Sequence, residues 1–320
     1  MLLMLTVMAG CKDRGDDTAP EPASGPQWSL VADQVGTGVF LSGWSDGETL
    51  RIVGGDLAGG AGVMATLTDG VLCTAAISER TLWWIHGAED GDWYAVGEAG
   101  TILHSTDGTI ADESIQTEAT LYGVFDDGSS VWAVGGVPGT SGEIWQKQDG
   151  KWSQVVGGLD GAVFKVWQSF FVGERTAWQL VDGELIESPT DEKLLTVRGR
   201  AADDVWAVGG ATSARVMRFD GTTWQQEDAA GLGQPLNGVW TAADQPVFIA
   251  GNFGTSAYRD DSDWVMPEWP VTSEHFHAVW WHDEAAWFLG GNLLTPGNNY
   301  GTIARYGEPM AAVTVSESCP

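Results

Sequence analysis

Seven times an apolar run ends on a glycine and hands over to a loop. The copies are Ile52-Val-Gly-Gly55, Tyr94-Ala-Val-Gly97, Trp132-Ala-Val-Gly-Gly136, Phe171-Val-Gly173, Trp206-Ala-Val-Gly-Gly210, Phe248-Ile-Ala-Gly251 and Trp287-Phe-Leu-Gly-Gly291. Their spacings are 42, 38, 39, 35, 42 and 39 residues. A period near 40, with apolar runs too short for helices and frequent turn residues, is the signature of a blade repeated around an axis. The expected fold is all-β: a seven-bladed β-propeller of four-stranded antiparallel blades. Although the chain has 320 residues, seven units that bury their faces against neighbours make one domain.

The fifth unit reads most clearly. Strand A is Leu195–Gly199, strand B Val205–Gly209, strand C Arg215–Phe219 and strand D Thr223–Glu227. Asp220-Gly221 joins C to D, and Asp-Gly suits a type I′ turn because both central residues take positive φ. The same pair recurs as Asp69-Gly70, Asp107-Gly108, Asp149-Gly150 and Asp182-Gly183. Strand A recurs as Val39–Trp44, Leu82–His86, Leu121–Phe125, Val163–Trp167, Leu236–Trp240 and Phe276–Trp280. The seventh unit stops at Arg305-Tyr-Gly307 without a fourth strand. Gly25-Pro-Gln-Trp28-Ser-Leu-Val31 is the expected replacement, closing the ring from the N-terminus, with Ala311–Val315 as the competing segment. Closure removes a long unpaired sheet edge.

The net charge is −29, from 44 acidic and 15 basic side chains. This argues against nucleic acid, whose phosphates need Lys and Arg to displace counterions. Many acids, such as Asp46, Asp126, Asp127, Asp203 and Asp204, fall in A–B or C–D turns, where a carboxylate caps local backbone amides. Calcium at Asp260–Asp263 is the one cofactor considered; otherwise no cofactor, metal site or catalytic residue is assigned. His275, His277 and His282 read as strand and turn residues. Gly54–Gly62 lacks the following helix that a phosphate loop requires.

Residues 1–10 are apolar but too short to span a bilayer. They read as a signal peptide. Residues 11–26 hold no large apolar side chain and read as a tether reaching about 50 Å at most; the propeller takes 27–320. Ala9-Gly10-Cys11 resembles the lipobox of bacterial lipoproteins. That resemblance implies cleavage before Cys11, lipidation of its thiol and a lipid-anchored place in the cell envelope, with the outer membrane the expected site. Export also makes Cys73 and Cys319 a candidate disulfide. Cys73 lies in the last strand of the first unit and Cys319 follows the seventh, and these units are neighbours in a closed ring.

Val205-Trp-Ala-Val-Gly-Gly210 followed by Phe219-Asp-Gly-Thr-Thr-Trp224 resembles the BNR or Asp-box-like repeats of exported bacterial propellers, and also kelch repeats. The resemblance covers about residues 27–307. It implies a propeller and leaves activity open. Binding belongs by expectation to the face with the longest B–C loops, 56–62, 137–141 and 292–300. Asp56, Asn252, Asn292, Asn298, Asn299 and Tyr300 are the candidate ligand contacts. The expected role is a monomeric, non-catalytic protein- or glycan-binding scaffold. The alternatives are a glycan-cleaving, sialidase-like enzyme and a membrane-complex assembly factor.

Overall fold

The computed structural model describes residues 25–316 except 37, 89, 90, 261 and 296. Among these residues the strands form seven sheets, one per repeat. Six blades are contiguous in sequence. The seventh pairs His275–His282, Ala285–Gly291 and Gly301–Gly307 with the N-terminal strand Gln27–Val35. Trp28 sits opposite Tyr306, and its ring packs against Phe288 at 5.2 Å and Tyr306 at 4.7 Å. The N-terminal segment therefore closes the ring. The competing segment goes elsewhere: Thr314–Ser316 runs parallel to Val71–Ser78 and covers the outer edge of the first blade.

The glycine that defines the repeat has a steric cause. Every strand A carries an extra residue near its start: Leu41, Trp83, Tyr122, Phe164, Leu195, Asn237 and His277. Such a bulge bends the strand and brings its backbone close to strand B. The repeat glycine faces the residue just before the bulge. A Cβ on Gly54, Gly135, Gly209 or Gly290 would lie 1.8, 2.3, 2.1 or 1.8 Å from the carbonyl oxygen of the residue just before its strand A partner. Gly97, Gly173 and Gly251 meet the same obstacle at 2.2, 2.4 and 2.6 Å. Aligned on this glycine, the leading residue of strand B is Arg51 in blade 1 and Phe170 in blade 4, one place ahead of Ile52 and Phe171.

The leading aromatics Trp132, Phe170, Trp206, Phe248 and Trp287 are buried between blades. Burying such a side chain contributes about 2–3 kcal/mol, so each blade is held by its neighbours. The Asp-Gly turns at 69–70, 107–108, 149–150 and 182–183 have positive φ at both residues, as type I′ requires. Asp220-Gly221 departs from this. Only Gly221 has positive φ, and the Asp220 carboxylate instead accepts from the Thr222 and Thr223 amides at 2.9 Å. The wider turn shortens strand D of this blade to Trp224–Gln226. No helix among the described residues is long and apolar enough to cross a membrane.

Candidate functional site

The long-loop face joins the candidate residues into one patch across blades 6, 7 and 1. Asn299 Oδ1 accepts the Leu57 amide at 3.0 Å, and its Nδ2 donates to the Asn292 carbonyl at 2.7 Å. Asn292 Nδ2 in turn donates to the Asn298 carbonyl. Asp56 accepts the Ala58 amide on its carboxylate and the Thr81 hydroxyl on its carbonyl. The Tyr300 hydroxyl donates to Glu274 Oε1 at 2.7 Å, and this bond, with some burial, pushes the phenol up to about 12. The Glu274 carbonyl accepts the Gly254 amide at 2.6 Å, which brings in the loop of Asn252. Asn252 Oδ1 accepts from Asn237 Nδ2 and from His275 Nδ1. The candidate polar groups are thus engaged in holding the loops. What they hold out is apolar: Phe253 is 50%, Leu294 69% and Trp269 77% exposed. The sequence reading missed these three. The signal was Met266-Pro-Glu-Trp-Pro270, a tryptophan between prolines outside any strand of the repeat.

Along the axis, side chains of the inner strands bond backbone carbonyls of the neighbouring strand A, three of them at bulge residues. His277 Nδ1 donates to the Leu41 carbonyl at 2.5 Å, Thr196 Oγ1 to the Asn237 carbonyl at 2.6 Å, and Asn237 Nδ2 to the Phe276 carbonyl at 2.8 Å. Lys165, only 4% exposed, donates from Nζ to the Tyr122 carbonyl at 2.6 Å and lies 4.2 Å from the Trp84 ring. Burial lowers this amine to about 7. Burial and the nearby Lys165 charge lower His277 to about 3. The three C-terminal histidines have separate partners, since His282 Nδ1 meets Ser45 Oγ at 2.8 Å. Among the described residues no three His, Cys, Asp or Glu side chains are placed to hold a metal ion.

At the A–B end the axis opens into a cavity of about 740 Å³. Its walls come from one rung of strand A, including Trp44, His86, Phe125, Trp167, Arg198 and Trp280. The rim acids are committed to turns. Burial raises Asp46, but the Thr49 and Glu48 amides and Arg51 outweigh it and hold the carboxyl below its ordinary value. Asp127 accepts from the Ser129 and Ser130 amides. A second pocket gathers Arg200, Arg218 and Arg259 around Trp206. The arginines look scattered in sequence, yet strands of blades 5 and 6 bring these three together. Asp204 pairs with Arg200 and Arg218, and Glu227 with Arg259.

No protein-family model matches the chain, and no curated protein matches it. Solved structures do share its architecture. Virginiamycin B lyase from Staphylococcus aureus superposes with a TM-score of 0.67 at 13% identity, over 89% of this chain and 99% of that one. YCF48 bound to D1 peptide gives 0.64 at 16%, over 87% and 96%. The WD40 repeats of RRP9 give 0.67 at 8%, over 91% and 99%. At these identities the likeness establishes the seven-bladed propeller. The three include a lyase and a peptide binder, so the shared fold does not select an activity.

Proposed function

We propose that this propeller is a non-catalytic scaffold that docks a protein partner on its long-loop face. The observation that carries this is the exposed trio Phe253, Trp269 and Leu294, borne on loops fixed by the Asn252, Asn292, Asn298, Asn299 and Tyr300 network. Large apolar side chains held out to water favour burial against another surface, and aromatic anchors on a rigid support are what such interfaces concentrate. A glycan would use Trp269 alone for stacking and leave Leu294 wet. A photo-crosslinker in place of Trp269, in whole cells, should trap a discrete protein adduct that Leu294→Asp abolishes. Adducts indifferent to Leu294→Asp would rule out this face.

A membrane-complex assembly role is one form of this reading; the similar fold of YCF48, solved with a bound peptide, supports docking of a protein segment. The glycan-cleaving alternative draws on the arginine pocket, but Asp204 and Glu227 already engage those guanidinium groups. Turnover of a sialoside or simple glycoside would reinstate it. We place the protein at the envelope as a lipoprotein, anchored through Cys11 and, by expectation, in the outer membrane. Cys11 and the rest of residues 1–24 lie outside the described residues, as does Cys319. Fatty-acid labelling lost in Cys11→Ala tests the anchor. Ser316 stands opposite Cys73 in the parallel pair, which supports a Cys73–Cys319 disulfide. Non-reducing peptide mapping should find that cross-link; two alkylated thiols would exclude it. The Asp-box or kelch likeness remains part of this proposal, as the repeat type from which the blades derive.

A further inference from the structure

Arg198 projects from blade 5 across the axis. Its Nη1 lies 3.2 Å from His86 Nε2 on blade 2, and its guanidinium 4.7 Å from the Trp280 ring on blade 7. Among the described residues no carboxylate pairs with it, and its Nε is buried with no acceptor. Burial without a counter-ion lowers the guanidinium to about 10. His86 deepens the mismatch. Its Nδ1 faces the Asp126 backbone N–H at 3.2 Å, and an amide nitrogen can only donate. Burial and the Arg198 charge hold the ring neutral, so its one proton sits on Nε2 and points at Arg198. Two donors therefore meet at the cavity with no acceptor between them. A half-buried cation with no carboxylate partner and unmatched donors are both costly, and function is where such costs are retained.

We propose that the channel mouth binds a monocarboxylate whose body is planar or apolar, with Arg198 and His86 Nε2–H donating to the carboxylate oxygens. Arginine's fork suits that group, and Trp44, Phe125 and Trp167 line the cavity that takes the body. The Asp46, Asp126 and Asp127 carboxylates lining the cavity each accept amides of their own turns. They repel a second negative charge, so polyanions are disfavoured. The carboxylate belongs either to a free small acid or to a peptide C-terminus. This inference is independent of partner docking on the opposite face.

The test uses the full chain, titrated calorimetrically and by tryptophan fluorescence. The probes are indole-3-acetate and its amide, citrate, and a short peptide ending in phenylalanine with a free or amidated C-terminus. The acid or the free-ended peptide should bind at least tenfold more tightly than its amide, and citrate weakly. Binding of indole-3-acetate points to a small acid; binding of the peptide alone points to a chain end. Arg198→Met should abolish the preference for carboxylate over amide. Arg198→Lys keeps the cation without the fork and should weaken the carboxylate at least tenfold, so the test survives if Arg198→Met does not fold. Equal affinity for acid and amide, an undiminished preference in Arg198→Lys, or no binding by any probe overturns the proposal.

Discussion

The inner strands around the axis and the long loops of blades 6, 7 and 1 both depend on polar groups, but they place them differently. On the axis, Lys165, His277, Thr196 and Asn237 are drawn inward to bond the next blade's backbone. On the loop face, Asn292, Asn299 and Tyr300 bond within and between loops while Leu294 and Trp269 stay in water. The first region fixes the ring and bears the energetic cost of buried charge. The second contributes little to the fold, so its exposed residues are free to serve a partner. If that division is right, substitutions at Lys165, His277, Thr196 and Asn237 change stability and those on the loop face change binding.

The largest expected effect belongs to Lys165. Unfolded, the amine has its ordinary pKa of 10.5; folded, it sits at about 7. Between those values the unfolded chain holds the extra proton. Stability therefore falls as pH drops from 10.5 to 7 and levels off below. The slope is about 1.4 kcal/mol per pH unit, or about 5 kcal/mol over the window. Urea unfolding of the protein and Lys165→Met at pH 7, 8, 9 and 10 should give free energies that diverge with this slope; parallel curves would mean that Lys165 is hydrated. Gly290→Ala comes next, at about 4 kcal/mol. Its Cβ would meet the His275 carbonyl at 1.8 Å, and neither backbone can yield without breaking the pair. Gly36→Ala, with open space around it, should change little and serves as the control.

These two residues also mark what the sequence made legible. The glycine repeat announced seven blades, and the Trp28 segment announced closure, because both are local patterns with one steric meaning. The Asp-Gly turns were legible except at Asp220, where a neighbouring Thr pair offered the carboxylate a different turn. Lys165 was invisible as a buried amine, since nothing in Val163-Phe-Lys-Val-Trp167 shows which rung faces the axis. The Arg198–His86 meeting was equally hidden, being made of residues 112 positions apart. The six loop residues lie in one hydrogen-bonded patch, yet the groups exposed beside them, Phe253, Trp269 and Leu294, were not foreseen. Periodicity reports what repeats; it is silent on where single, unrepeated side chains converge.

Ring closure supplies the intermediate test. Trp28→Ala removes ring contacts to Phe288 and Tyr306 and should cost about 3 kcal/mol, read as a lower urea midpoint with one cooperative transition. A loss of only a few tenths would mean that the N-terminal strand is dispensable and that blade 7 stands on three strands.

The smallest effect on stability is expected at Asn299, where the comparison is most exposed to failure. Asn299→Ala removes the bond to the Leu57 amide between blades 7 and 1 and the bond to the Asn292 carbonyl. Both are near the surface, so the net loss should be about 1 kcal/mol. Hydrogen exchange should nevertheless speed up in 56–62 and 292–300, because those loops lose their shared anchor. A partner that docks there then has to order them on binding, which weakens its affinity. The combination of a small stability loss, faster exchange confined to these loops and at least tenfold weaker partner capture would place the loop face in the binding role. Unchanged capture with faster exchange would show that the loops are ordered for the ring alone.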